Sequence, residues 1–195
     1  MILSGNEIRK QLELGRIEID PFEPKHVNPV SVDLTLGKGV AVYTNAVEIP
    51  PIGRNGEDGR YFRPTDHVLD VKREPVVSRF VIPDSGWVLR PGIGYLAHTA
   101  ERVKTDFYVP ILDGKSSIGR LFIKVHETAG FGDPGFNGQY TLEISTIHTM
   151  RVYAGMRICQ MRFHTIEGEV TPYEGNYTGE NAQGPVASKC FRQFK

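Results

Sequence analysis

Short runs rich in Val, Ile, Tyr, Phe and Thr, separated at close intervals by Gly and Pro, make up most of this chain. Residues 30–36, 86–89, 95–99, 107–111, 121–125, 140–147 and 156–164 read as strands, because branched and aromatic side chains pack well on a pleated surface. The alternation is clearest at 139–144. There Thr141 and Glu143 fall on one face and Leu142 and Ile144 on the other, since successive strand side chains point to opposite sides. One segment follows a different period: Ser4 is followed by Glu7, then Ile8 and Leu12, with Gly15 as the stop. A capping box, an apolar stripe and a glycine terminus predict a helix over 4–14, the only good helix expected. Many short strands with dense turns imply a mainly β fold of the sandwich, jelly-roll or barrel kind.

Composition narrows this picture. The 195 residues suffice for one sizeable core, and 39% hydrophobic with 24% charged residues lies in the globular range. A single domain over 1–195 is expected, with 173–195 a polar, Gly-rich tail that orders only by docking. Segment 52–60, IGRNGEDGR, reads as a flexible hairpin loop and matches neither GxxxxGK[ST] nor GxGxxG. Lys plus Arg equals Asp plus Glu at 23 each, so no overall field draws the protein to a nucleic acid polymer or an acidic membrane. No apolar run reaches eighteen residues and the first ten lack a secretion layout, which predicts a soluble cytoplasmic protein.

Cys159 and Cys190 form no CxxC and have no nearby His pattern, so free thiols are expected rather than a zinc site. No histidine pair has ligand spacing, and His126 is the one near the candidate chemistry. That chemistry concentrates in 113–143. Gly114, Lys115, Ser116, Ser117 and Arg120 put two cations, two hydroxyls and glycine-flanked amides within seven residues. The grouping suits a small anion, or equally an ordinary polar turn. Asp133-Pro134-Gly135 is a turn with a carboxylate at the strand edge, and Glu143 is a carboxylate on a buriable strand. Such a group is costly to bury unless paired or used; the alternative is a solvent-facing position.

The order GKSSxGRL, then HETAGFxDPGFxGQxTLE, resembles the central signature of the dCTP deaminase family, a branch of the trimeric dUTPase superfamily. MILSG at the start, NPVSVDLTLG at 28–37, PGxxYLAHTxE at 91–101, RICQ at 157–160 and QGPVAS at 183–188 extend the resemblance over nearly the whole chain. It implies a distorted β-barrel or jelly roll of the dUTPase-like, β-clip type. It also implies a homotrimer with each nucleotide site between subunits. Glu143 is similar to the catalytic glutamate of that family, while Ser116 and Arg120 resemble the residues that bind the reacting end of the base and order the attacking water. Lys115, Ser116 and Ser117 fall where the family grips phosphates, Asp133 resembles the acid near the sugar, and Thr141, with its neighbour Leu142, lies in the strand that reads the pyrimidine. Gln160, Tyr173, Tyr177 and Gln183 resemble positions that close over base or triphosphate.

The implied reaction is zinc-independent deamination of dCTP to dUTP, with Arg120 favouring ionised Glu143 by proximity. Thr128-Ala129-Gly130-Phe131 resembles the type that also cuts dUTP to dUMP, Gly130 leaving room for a second water that Asp133 orients. Mg2+ is the expected companion, held by phosphate oxygens and water, with no protein ligand named and dTTP a candidate inhibitor. Departures from the pattern are Lys115 for arginine, Asn28 and Thr35 for glutamine and arginine, and Asn176 for lysine; Glu180 competes with Gln183. A dUTP pyrophosphatase without deamination and a noncatalytic nucleotide-sensing regulator are the rival readings.

Overall fold

A computed structural model describes residues 1–49, 61–177 and 179–195; the loop expected at 52–60 lies outside the described residues. The N-terminal helix, α1 (Gly5–Glu13), is present, with the Ser4 hydroxyl accepting the Glu7 N–H at its start and Gly15 at φ +66° just beyond its end. It buries Ile8. Gly5 permits its close approach to the chain, since a Cβ there would lie 2.2 Å from the Asn28 carbonyl oxygen.

The strands are β1 (Glu18–Asp20), β2 (Val32–Thr35), β3 (Gly39–Tyr43), β4 (Ala46–Ile49), β5 (Tyr61–Pro64), β6 (Val77–Val81), β7 (Trp87–Leu89), β8 (Tyr95–Lys104), β9 (Val109–Gly114), β10 (Ile123–Lys124), β11 (Asn137–Thr146), β12 (Met150–Val152) and β13 (Arg157–His164). A second helix, α2 (Ser116–Gly119), occupies one turn after β9, where the sequence predicted none. Segment 121–125, expected as a strand, yields only the two residues of β10, because Leu121 and Phe122 complete the turn that leaves α2.

The largest sheet runs β10-β11-β8-β3-β6, with β1 also on β8. A second sheet orders β2-β13-β9, and β7 pairs with β12 and β4 with β5. Every pairing is antiparallel. The architecture is the mainly β one expected, built among the described residues from packed open sheets that do not close into one continuous barrel. Leu142 and Ile144 of β11 are buried with Tyr95, Trp87, Phe62 and Phe163 in one core. Full burial of such side chains stabilises by about 1.5–3 kcal/mol each.

The β11–β8 pairing positions the site. Its register shifts between Gln139 and Thr141, and the Tyr140 N–H donates to Thr99 Oγ1 at 3.0 Å where the regular ladder is interrupted. Irregularities of this kind re-aim side chains. Gln139, Thr141 and Glu143 emerge on one side, toward the C-terminal segment, while Leu142 turns inward.

Candidate active site

Glu143 lies half-buried on the wall of a cavity of about 390 Å³, within the range of small-molecule sites. Tyr43 from β3, Phe131 and Phe136 from the stretch leading into β11, Tyr140 within β11, and Tyr173 and Tyr177 from the C-terminal segment make its walls aromatic. The buried Tyr140 hydroxyl has no hydrogen-bond partner among the described residues. Burial raises the Glu143 carboxyl above the usual range. The Glu127 N–H, donating to Glu143 Oε2 at 3.3 Å, and nearby His126 act in the opposite sense, while the Glu127 charge adds to the rise. A carboxyl held up by burial, with a backbone donor for its ionised form, suits a group that takes a proton and gives it back. Glu127 itself is kept low by Ser145, whose hydroxyl donates to it at 2.5 Å, and by Lys124 at 3.2 Å.

The loop from Glu127 to Asp133 is drawn tightly against β9. Thr128 holds φ +100°, a strained value for a branched residue, and its N–H meets His126 Nδ1 at 3.3 Å. The Gly130 carbonyl accepts the Leu112 N–H at 2.7 Å, and a Cβ on Gly130 would lie 2.3 Å from the Leu112 oxygen. The missing side chain at Gly130 thus makes way for the β9 backbone, a reason the sequence alone did not offer. Asp133, at the start of the turn closed by Gly135 at φ +86°, lies exposed on the cavity wall.

The C-terminal segment lies across the cavity and is held by main-chain donors on side-chain acceptors. Gly184 N–H donates to Gln139 Oε1 at 2.7 Å, Val186 N–H to Thr141 Oγ1 at 3.1 Å, and Ser188 N–H to the Tyr43 hydroxyl at 3.1 Å. Thr141, expected to read a base, thus also anchors the tail.

One chain brings Glu143, Asp133, Thr141, Tyr173 and Tyr177 together and leaves the remaining candidates elsewhere. Ser116 and Ser117 on α2, and Arg120 just after it, are exposed and outside the cavity lining. The expected proximity of Arg120 to Glu143 is absent within the chain, and Arg120 is not among the groups that move the Glu143 carboxyl. Lys115 donates to the fully buried Asp33 carboxylate at 2.6 Å, beside Asn28 at 2.7 Å and Arg157 at 3.2 Å. Its charge is therefore tied to the fold. Gln160 on β13 bonds to Ser31 and the Gly114 carbonyl, in the other sheet. Leu142 is 0% exposed, so it presents only main chain to any ligand. Gln183 is exposed and outside the Glu143 cavity, and the Glu180 side chain lies outside the described residues.

Gln139 and Tyr43 are site residues the sequence reading did not single out. Gln139 shares its strand face with Thr141 and Glu143, so the alternation itself carried the signal. Tyr43 lies on a strand that pairs with β8 rather than β11, and no motif marks it.

The family model described as dCTP deaminase-like matches residues 2–166. A protein of Leptospira biflexa named "dCTP deaminase, dUMP-forming" is 41% identical over 195 residues, covering 100% of this chain and 99% of the relative. A protein of the same name from Hathewaya histolytica is 39% identical over 196 residues, with 100% of both covered. Among solved structures, the 2'-deoxycytidine 5'-triphosphate deaminase of Agrobacterium tumefaciens superposes with a TM-score of 0.58 at 24% identity, over 84% of this chain and 48% of that one, a likeness of fold. A match this long to the family model, with relatives near 40% identity along their whole length, means that the chain belongs to the dCTP deaminase-like family.

Proposed function

We propose that the protein hydrolyses dCTP to dUTP and ammonia, and then dUTP to dUMP and pyrophosphate, supplying dUMP for thymidylate synthesis. The observation that carries this reading is Glu143, half-buried on the wall of an aromatic cavity that the C-terminal segment covers. The names of the full-length relatives point the same way.

In the first step the Glu143 carboxylate takes a proton from water as the oxygen adds to C4 of the cytosine, and returns it to N3. The second proton of the water passes by the same carboxyl to the amino group. The C4–N4 bond then breaks, ammonia leaves and C4 keeps the oxygen as a carbonyl. Withdrawal of Glu143 from bulk water strengthens every dipole that orders the attacking water. In the second step Asp133, which also lines the cavity, takes the proton of a water whose oxygen adds to the α-phosphorus, and the bond to the β-phosphate oxygen breaks.

Ser116, Ser117 and Arg120 act, in this reading, on the nucleotide of a neighbouring subunit in a homotrimer. Leu121 and Phe122, exposed at 45% and 59% directly after Arg120, and Phe131, 69% exposed beside the cavity, supply apolar surface for that contact. Arg120 would then reach Glu143 across the interface, lowering its carboxyl and ordering the water. Mg2+ would be held by phosphate oxygens and water, as is common for this ion, and would offset phosphate charge. No helix among the described residues is long and apolar enough to cross a membrane, and we place the reaction in the cytoplasm with free nucleotides.

Incubation with dCTP and with dUTP separately, reading ammonia and pyrophosphate, tests the proposal. Ammonia from dCTP and dUMP from both substrates are expected. Pyrophosphate from dUTP with no ammonia from dCTP would leave a dUTP pyrophosphatase; neither product would leave a noncatalytic binder.

A further inference from the structure

Lys124, Glu127 and Ser145 form a small polar cluster beside Glu143 that the chemistry described above does not use. Glu143 and Ser145 lie on one face of β11, and Lys124 is directly opposite Ser145 on β10. From β10 the chain turns back over that face, with Val125 buried at the start of the turn. Glu127 therefore reaches both residues. Its carboxylate accepts the Ser145 hydroxyl at 2.5 Å and the Lys124 ammonium at 3.2 Å, while its N–H donates to Glu143 Oε2 at 3.3 Å. The side chain is tied to the strand that carries Glu143, and the main chain meets Glu143 itself.

This tie works against strain. Thr128, the next residue, holds φ +100° with its N–H on His126 Nδ1 at 3.3 Å, and a branched residue keeps such a conformation only where its surroundings over-determine it. Released from Ser145 and Lys124, the turn would relax and carry the Glu127 N–H away from Glu143. Glu127 is also outside the cavity lining, so its side chain can be altered without changing that wall.

We propose that Glu127 is a positioning residue for Glu143: anchored through Ser145 and Lys124, it holds its own N–H against the Glu143 carboxylate during deamination. The inference rests on the reading of Glu143 as the group that takes and returns the proton. Glu127 falls within the HETAGF stretch, yet the resemblance assigned it no role.

The Glu127 charge has a second effect, since a like charge nearby keeps the Glu143 carboxyl raised. Around Glu143 also stand His126 on this turn, Asp133 on the cavity wall, Tyr43 on β3, Tyr173 and Tyr177 in the C-terminal segment and, in the homotrimer proposed above, Arg120 of a neighbouring subunit. His126 and that arginine act in the opposite sense to Glu127. Neutralising Glu127 therefore lowers the pH at which Glu143 becomes available as a base, and the Lys124 charge left without its partner acts in the same direction.

Hydrogen exchange of segment 125–131 by mass spectrometry, and the pH profile of ammonia release from dCTP, test the assignment in Glu127→Ala, Glu127→Gln, Ser145→Ala and the unmodified protein. Exchange should quicken in Glu127→Ala and Ser145→Ala, and kcat should fall by about threefold to tenfold, the rate equivalent of one hydrogen bond, with KM little changed. Glu127→Gln keeps an oxygen for the Ser145 hydroxyl, so its exchange should stay slow while the acid limb of kcat moves to lower pH. Unaltered exchange and kcat in Glu127→Ala, a rise in KM in place of the fall in kcat, or a fall in kcat that tracks a lowered melting temperature would each overturn the positioning role. An acid limb that stays in place in Glu127→Gln would overturn the effect of the charge. No ammonia from the unmodified protein would defeat the reading of Glu143 instead, and exchange alone would then decide whether Glu127 holds the turn.

Discussion

A Cβ added at Gly138 would lie 2.1 Å from the Ala182 Cβ and 2.9 Å from the Ala182 oxygen, whereas carbon atoms pack at about 3.5–4.0 Å. Gly138→Ala therefore requires the two segments to separate by about 1.5–2 Å at this point. The strand cannot yield, because Gly138 is paired with Val103 inside the largest sheet. The C-terminal segment must retreat instead. Overpacking of this kind costs about 1–3 kcal/mol. The segment is held by the Gln139, Thr141 and Tyr43 acceptors and by Arg79 on the Pro185 carbonyl, four hydrogen bonds worth about 1 kcal/mol net each before the entropy of ordering the chain is subtracted. The clash is of the same order as the attachment, so it displaces the segment rather than merely straining it. If the covering segment is needed for turnover, kcat/KM for ammonia release from dCTP should fall by about 5- to 150-fold, the rate equivalent of that cost. Trypsin cleavage at Lys189 and Arg192 should quicken while the melting temperature of the core changes little. Gly94→Ala, where an added Cβ meets nothing within 4 Å, is the matched control and should leave both readouts unchanged. Equal behaviour of the two variants would refute the argument that the segment must lie closed over Glu143.

Glu143→Gln should lower deamination at least about 100-fold, read as ammonia released from dCTP. Mixing inactive Glu143→Gln with inactive Arg120→Ala after mild dissociation should restore part of the activity, since some sites then pair an intact glutamate with an intact arginine; no recovery at any mixing ratio contradicts a site shared between subunits. Burial lowers the His98 pKa, against weaker opposing contributions from the Thr99 carbonyl and Gln139, so the stability that neutral His98 gives is complete above pH 6.5 and is lost as pH falls through the folded value. His98→Gln should flatten the fall in melting temperature below pH 6.5, and an unchanged slope would assign the acid sensitivity to other groups.

The alternation at 139–144 was legible because its two faces meet different surroundings: Ile144 packs in the core while Glu143 meets the cavity. The capping residues of α1 were equally plain, since the Ser4 hydroxyl and the Glu7 N–H lie three residues apart. What escaped were elements whose reason lies across the chain. β6 has a mostly exposed pattern and exists through its pairing with β3, from Gly39 opposite Val81 to Tyr43 opposite Val77. Lys115 reads as a free cation in its local string, and its partner Asp33 is 82 residues away. Gly130 shows the same limit more sharply: its small size was legible, but the Leu112 carbonyl that demands it belongs to β9.

The placement of the motif residues bears on assembly. In one chain the carboxylates Asp133 and Glu143 line the cavity, while the Ser116, Ser117 and Arg120 group lies exposed beyond it. In the homotrimer proposed above, a second copy would bring the Ser116, Ser117 and Arg120 group to this cavity. The exposed Leu121 and Phe122 beside Arg120 give that copy apolar area to bury, and Phe131 presents a third apolar group beside the cavity itself. Association would then complete the chemistry rather than only stabilise the fold: a carboxyl raised by burial in the isolated chain gains a cation, and its water gains an ordered donor, when the neighbour docks.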